Sequence, residues 1–225
     1  MNKQMDRWVV FDVGETLVDE TRVWSAWADV VGVPRLTFMA VLGAVIARGG
    51  AHQEVFEAVG SPHWERHRDQ LEAAYGGFGD ADLYPDVRPT LAALGAEGYR
   101  LAIFGNQPAN RSAELRALDL PVEVIAMSQE MGVAKPSPAY FRRVLELLGH
   151  PDPASVAHVG DRVDNDVIPA ITAGLRSIWV RRGPWGVIQR LPDGVRPAAV
   201  IDSLAELDAH LEEAFTGLPP APTSV

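Results

Sequence analysis

Short apolar runs that alternate with helical patterns are the feature that most constrains the fold of this chain. The run RWVVFD at residues 7–12 is apolar on both faces, which is typical of a strand buried in a parallel sheet. Similar runs follow at residues 99–105, 122–127, 155–161, 176–180 and 198–202. Because strands and helices alternate, the sequence predicts an α/β fold, a doubly wound and Rossmann-like parallel sheet with helices on both faces.

Two of the intervening helices carry clear start and stop signals. Residues 85–98 place apolar side chains at helical spacing and end near Gly98. In the other, Ser137 is the expected N-cap, Pro138 takes the first helical position, and the pattern stops near Gly149. These signals predict helices in the connections before the second strand and before the fourth strand.

Residues 19–84 interrupt the alternation. They contain four helix-like segments and no convincing strand, so the sequence predicts an α-helical cap inserted after the first strand. The core domain then comprises residues 1–18 and 85–216. Residues 217–225 are rich in proline and lack periodicity, which predicts a flexible tail.

Composition and charge exclude several classes of function. The 225 residues include no cysteine, which excludes disulfides, thiolate nucleophiles and zinc sites built on thiols. A formal net charge of -10 disfavours binding to nucleic acid. No stretch reaches the roughly 18 apolar residues of a membrane span, and the N-terminus lacks a signal-peptide pattern. We therefore expect a cytoplasmic protein that binds neither nucleic acid nor membranes.

Polar residues accumulate at the carboxyl ends of the predicted strands, where ligands bind in such sheets. Asp12 ends the first strand, Asn106 follows the second, Lys135 follows the third, and Asp161 ends the fourth with Asp166 just beyond. Taken singly, each has an ordinary explanation as a helix cap, a turn residue or a solvated loop residue. Taken together, they predict one site on one edge of the sheet.

The joint order of these residues resembles the haloacid dehalogenase superfamily of hydrolases. The resemblance spans residues 7–182, in the motifs FDVGETL, LAIFGNQ, GVAKPSPAYF and VAHVGDRVDNDV. It implies a phosphatase that acts on a small phosphate ester, with Asp12 as the nucleophile that forms an aspartyl-phosphate. It also implies strand order 3-2-1-4-5-6, and a cap in this position implies a lid that admits small molecules and excludes polymers.

The same resemblance assigns roles to the remaining polar residues. Lys135 would pair with the phosphate and the nucleophile, Asn106 would contact a phosphoryl oxygen, and Thr16 would shape the first motif's loop around the phosphate. Mg²⁺ prefers oxygen ligands in octahedral geometry. The ligands implied for one Mg²⁺ are Asp12, the main-chain carbonyl of Gly14, Asp161 and Asp166.

Two positions depart from the family's pattern. Gly14 stands where the family's phosphatases carry a second aspartate, which protonates the leaving alcohol and then activates water. Gly105 stands where a serine or threonine hydroxyl usually contacts the phosphate. General acid-base help is worth about 10²- to 10⁴-fold in rate. Gly14→Asp is therefore expected to raise turnover about tenfold or more, provided that the backbone at residue 14 is not reserved for glycine.

Several alternatives stay open at this point. Glu15 is a candidate replacement for the missing acid. The chain is alternatively a weak phosphatase, impaired by Gly14 and selective for good leaving groups, or a protein that binds phosphate ligands without turnover. A haloacid dehalogenase is disfavoured because halide displacement does not use a magnesium cluster, and a phosphonatase because the cap lacks lysine. Calcium is disfavoured because Thr172 stands where an EF-hand loop would carry a glutamate.

The cap and the fourth strand supply further expectations. Trp24, Trp27 and Trp64 are expected in the hydrophobic core of the cap, because aromatic residues at helical spacing usually pack there. Arg22, Trp24 and His63 are candidates for substrate specificity. His158, inside the fourth strand, is expected to support the site from the core rather than to bind a ligand. The substrate and the oligomeric state are not readable from the sequence.

Overall fold

Six parallel strands form one sheet at the centre of the molecule. The computed structural model describes residues 6–217, so residues 218–225 of the predicted tail lie outside it. The strand order is β3-β2-β1-β4-β5-β6, which confirms the predicted order and fold class. The strands are β1 (Trp8–Phe11), β2 (Arg100–Gly105), β3 (Val124–Met127), β4 (Val156–Gly160), β5 (Arg176–Val180) and β6 (Ala199–Ile201).

Helices connect the strands and cover the sheet. The α-helices are α1 (Thr21–Val30), α2 (Arg35–Ala47), α3 (Glu54–Ala58), α4 (Arg68–Tyr75), α5 (Val87–Glu97), α6 (Asn110–Ala117), α7 (Ser128–Met131), α8 (Pro138–Leu147), α9 (Ile168–Thr172), α10 (Gly183–Ile188) and α11 (Leu207–Thr216). Shorter 3₁₀ turns lie at Trp64–His67, Asp80–Asp82, Pro153–Ser155 and Leu204–Glu206, and a π-helical turn lies at Val163–Val167.

Alternate residues of each strand pack on opposite faces of the sheet. Val9 and Phe11 of β1 belong to a cluster that includes Leu91 of α5 and Leu211 of α11. Their neighbours Trp8 and Val10 belong to a second cluster with Tyr140, Phe141 and Val144 of α8. Since side chains alternate along a strand, a run that is apolar at every position must be covered on both faces. The continuous apolar runs in the sequence reflect this double burial.

The helix signals read from the sequence act as expected. The Ser137 hydroxyl accepts a hydrogen bond from the amide of Ala139 at 3.3 Å, which caps the start of α8. Gly98 ends α5 with φ +93°, a left-handed conformation that glycine adopts at little cost. These local signals therefore predicted two helix boundaries.

The segment between β1 and α5 is helical and has its own hydrophobic cluster. Trp24 and Trp27 are buried in it, and Trp64 packs against it with its ring 4.7 Å from that of Phe56. Trp185 of α10, which follows β5, is also a member of this cluster. Burial of apolar surface therefore joins the helices of the insertion to the core domain.

Arg22 ties the two ends of the inserted segment together. Its guanidinium donates to Asp82 Oδ1 at 2.7 Å, to the carbonyl of Gly77 at 2.5 Å, and to the carbonyl of Tyr75. A planar guanidinium suits several acceptors at once because its donors are fixed in a fork. Arg22 therefore stabilises the base of the insertion. These contacts do not show the predicted role in substrate specificity.

Within residues 6–217, no single helix has the length and apolarity to cross a bilayer. The helices α1 and α2 together have that length and apolarity, but they are bent by 113° relative to each other.

Candidate active site

Three buried carboxylates meet at the carboxyl end of the sheet. Asp12 follows β1, Asp161 follows β4, and Asp166 lies on the π-helical turn after β4. One oxygen from each lies within 4.8 Å of the others, and the three residues are at most 7% exposed. The adjacent pairing of β1 with β4 brings these residues together, as the sequence predicted for neighbouring strand ends.

Lys135 reaches into the carboxylate cluster. Its Nζ lies 2.6 Å from Asp12 Oδ1 and 2.5 Å from Asp166 Oδ1. Asn106 holds the lysine backbone from the end of β2, because its side chain donates to the carbonyl of Lys135 at 2.9 Å and accepts from its amide at 2.8 Å. Asn106 thus positions Lys135, a function that the resemblance did not indicate.

The charges in this cluster do not balance. Burial raises the pKa of Asp12 against the opposing effect of Lys135. Burial and then the neighbouring Asp166 and Asp12 raise the pKa of Asp161 well above its usual value. Asp161 Oδ2 is buried and has no hydrogen-bond partner among the described residues. Three carboxylates and one ammonium therefore leave an excess of negative charge beside an unsatisfied oxygen, which suits a hard divalent cation.

Asp166 approaches the cluster because residue 160 is a glycine. A β-carbon added to Gly160 would lie 2.6 Å from the Cβ of Asp166. The π-helical turn then brings the Asp166 carboxylate to the amide of Arg162 at 3.1 Å and to His158 Nε2 at 3.0 Å. Burial opposes ionisation, but Lys135 and His158 hold the pKa of Asp166 below its usual range. His158 is fully buried and supports the cluster from the core.

A cavity of about 690 Å³ opens above these residues, between the sheet and the inserted helices. The predicted residues that line it include Asp12, Gly14, Asn106, Lys135, Asp161 and Trp24. Arg22 and His63 do not line it, so among the specificity candidates only Trp24 is placed there. Thr16 is fully buried in the loop after β1 and does not line the cavity either.

Gly105 lacks a side chain for a steric reason. A β-carbon added there would lie 2.7 Å from Cγ2 of Val13 and 3.5 Å from Oδ1 of Asp12. The branched side chain of Val13, fully buried, thus takes part of the space that a hydroxyl residue would need. Restoring a serine at residue 105 requires Val13 to move.

Glu20 is the residue of the site that the sequence reasoning missed. It lines the cavity, and a β-carbon added to Gly14 would lie 2.7 Å from its Cδ. Burial, followed by the charges of Glu15 and Asp12, raises the pKa of Glu20 to about 7. Glu20 stands six positions after Gly14 and outside the first motif, so the sequence does not indicate that it belongs to the site. The path of the intervening loop brings Glu20 next to Gly14.

Glu15, the earlier candidate for the missing acid, is engaged elsewhere. Its Oε2 accepts from the hydroxyl of Tyr84 at 2.5 Å, and its Oε1 accepts from the amide of Glu20 at 3.1 Å. Its backbone is left-handed, with φ +54°, which turns the chain immediately after Gly14. Both carboxylate oxygens of Glu15 therefore stabilise the loop.

Comparisons with known proteins agree with this geometry. The haloacid dehalogenase-like hydrolase family matches residues 7–174. The chain belongs to this family. The glyceraldehyde 3-phosphate phosphatase of Methanopyrus kandleri is 31% identical over 176 residues, which cover 69% of this chain and 75% of that protein. The match to the pyrimidine 5'-nucleotidase YjjG of Escherichia coli, 35% over 89 residues, covers 40% of this chain and only 38% of that protein.

A solved structure extends the similarity to the whole fold. The putative hydrolase YfnB of Bacillus subtilis, bound to magnesium, superposes with a TM-score of 0.69. The two share 18% identity, over 90% of this chain and 97% of that one. At that identity the match shows the fold alone. The predicted membership of the haloacid dehalogenase-like hydrolases is thus confirmed, and the chain is a hydrolase of that family.

Proposed function

We propose that the protein is a Mg²⁺-dependent phosphatase that hydrolyses a small phosphorylated metabolite through an aspartyl-phosphate on Asp12. The main support for this proposal is the cluster of three buried carboxylates, which outnumber the one ammonium of Lys135 at the bottom of the cavity. The name of the M. kandleri relative, a phosphatase of a small phosphate ester, supports the same class of substrate. The magnesium bound to YfnB supports the choice of ion.

The residues present fit a bound Mg²⁺. Asp12, Asp161 and Asp166 would hold it with the main-chain carbonyl of Gly14, and the unsatisfied Asp161 Oδ2 would gain a partner. Mg²⁺ supplies positive charge that offsets the charge on the phosphoryl oxygens during transfer.

The chain's own residues would do the remaining work. The carboxylate of Asp12 is the nucleophile, which attacks phosphorus and forms a mixed anhydride. The Lys135 ammonium, bonded to Asp12 Oδ1 at 2.6 Å, orients the nucleophile and attracts the phosphate dianion. Asn106 fixes the lysine by binding both its amide and its carbonyl. Trp24 and Trp185 form an apolar wall that limits the access of water.

The shape of the cavity limits the substrate. A cavity of about 690 Å³ under a cap of helices accommodates a metabolite and not a polymer. We therefore propose a small-molecule phosphate ester as the substrate and no nucleic acid as a partner. A cytoplasmic location and the absence of a membrane partner stay predictions from the sequence.

A substrate panel tests this proposal. The purified protein is assayed with p-nitrophenyl phosphate, acetyl phosphate, alkyl phosphates and nucleoside monophosphates, in Mg²⁺ and in EDTA, with 2-haloacids as a further class. We expect phosphate release in Mg²⁺ and none in EDTA. Halide release without added metal would assign a dehalogenase. Phosphate binding by calorimetry without turnover of any ester would assign a binding protein.

Removal of one carboxylate tests the metal site directly. We expect Asp161→Asn to weaken Mg²⁺ binding at least about tenfold in calorimetry, because a neutral amide replaces a charged oxygen ligand. Asp193→Asn is the matched control, because Asp193 is exposed and lies after α10. Equal Mg²⁺ affinity in Asp161→Asn and the control would mean that the ion binds elsewhere.

A further inference from the structure

Glu20, at the start of the cap, places a carboxylate where residue 14 lacks one. Glu20 directly precedes α1, and its side chain fills the space beside Gly14, as the 2.7 Å distance from Cδ to an added β-carbon shows. The φ of Gly14 lies outside the left-handed region, so its backbone accepts other residues. The glycine at residue 14 is therefore explained by the space that the Glu20 carboxylate needs. It is not explained by a constraint on the backbone.

Neutral donors hold the Glu20 carboxylate from two sides. Trp24 Nε1, one turn along α1, donates to Oε2 at 3.2 Å. Gln107 Nε2, after β2, donates to Oε1 at 3.1 Å. Because neither donor carries charge, the carboxylate is oriented but not neutralised by them. The cap and the core domain thus each contribute one contact that points Glu20 into the cavity containing Asp12 and Lys135.

We propose that Glu20 is the catalytic acid and base of this hydrolase, in place of the aspartate that is absent at residue 14. This inference rests on the proposed phosphatase function and assigns the missing step of that reaction to a residue of the cap. Glu15 also lies near Gly14, but both of its oxygens are occupied, one by Tyr84 and one by the amide of Glu20.

Glu20 would transfer one proton in each of two steps. In the first, an Asp12 oxygen bonds to phosphorus as the bond to the leaving oxygen breaks, and protonated Glu20 gives its proton to that oxygen. In the second, the Glu20 carboxylate takes a proton from water, and the water oxygen bonds to phosphorus as the bond to Asp12 breaks. Inorganic phosphate leaves, and Glu20 is protonated again.

The placement of Glu20 also changes the expectation for Gly14→Asp. The backbone condition for this substitution is met, but the new side chain would enter the space that Glu20 occupies. Two carboxylates would then compete for one position and repel each other. We therefore expect no gain from Gly14→Asp alone, in contrast to the tenfold gain expected from the sequence. The gain should appear only when Glu20 is removed as well.

Leaving-group dependence tests the proposal. Glu20→Gln keeps the shape and loses the transferable proton, so we expect kcat on alkyl phosphates to fall about 10²- to 10⁴-fold. With p-nitrophenyl phosphate, whose leaving group needs no proton, the first step should survive. A burst of nitrophenolate and a phospho-protein detectable by mass spectrometry should then appear. Glu57→Gln is the control, because it makes the same change on an exposed residue of the cap.

Relocating the carboxylate provides a second, independent readout. We expect Gly14→Asp/Glu20→Ala to recover alkyl phosphate turnover about tenfold or more over Glu20→Ala. Full alkyl phosphate turnover by Glu20→Gln, or an equal slowing of the first step, phosphoryl transfer to Asp12, with both kinds of leaving group in single-turnover measurements, would overturn the role of Glu20 and leave the phosphatase proposal intact. Absence of turnover by the parent protein on every ester would overturn both proposals.

Discussion

Asp12→Asn is expected to abolish Mg²⁺-dependent phosphate release, with a fall in kcat of at least about 10³-fold, because the amide oxygen is a poor nucleophile. The fold should be retained. Asparagine is nearly isosteric, and burial raises the pKa of Asp12 by disfavouring its charged form, so the neutral amide relieves that cost while it weakens the attraction to Lys135. Lys135 keeps its contact with Asp166 at 2.5 Å.

Steady-state kinetics and thermal unfolding of the same preparation measure these two effects separately. Asp193→Asn, an exposed residue, should leave both unchanged. No phospho-protein should form in Asp12→Asn from any substrate, including p-nitrophenyl phosphate. Residual Mg²⁺-dependent activity above about a few per cent in a folded Asp12→Asn protein would show that another group is the nucleophile.

Lys135→Met is expected to be the most destabilising single substitution in the site. It removes the cation that contacts two buried carboxylates, Asp12 and Asp166, and loss of one partner of a buried ion pair typically costs about 3 to 5 kcal/mol. The carboxylates of Asp12 and Asp166 hold the pKa of Lys135 above its usual value despite burial, so the lysine is charged in the folded protein. Catalysis should be lost together with stability.

Denaturant unfolding in EDTA and in Mg²⁺ checks this expectation. The free energy of unfolding should fall by the stated amount in EDTA, and Mg²⁺ should restore part of it, since a ligand of the folded state stabilises that state. Arg143→Met is the control, because Arg143 forms an exposed pair with Glu146 at 2.9 Å and such pairs contribute about 1 kcal/mol or less. A loss for Lys135→Met no larger than that of the control would mean that the buried lysine does not neutralise the cluster.

The sheet and the residues at its carboxyl edge were predictable from the sequence. Runs that are apolar at every position occur where a strand is covered on both faces, so β1, with Val9 and Val10 on opposite faces, was recognisable without coordinates. Parallel strands end at one edge, so Asp12 and Asp161 could be placed together from their positions at strand ends. Ser137 and Gly98 marked helix ends because caps depend on local hydrogen bonds and backbone angles.

The side chains that occupy the space beside Gly14 and Gly105 were not predictable from the sequence. Val13 lies beside Gly105 because two adjacent strands bring their ends together. Glu20 lies beside Gly14 because the loop after β1 reverses: the amide of Glu15 bonds to the carbonyl of Val18 at 2.7 Å. Trp185 joins the cap from a helix far along the chain. These placements depend on packing between separate elements, and neither periodicity nor local propensity encodes such contacts.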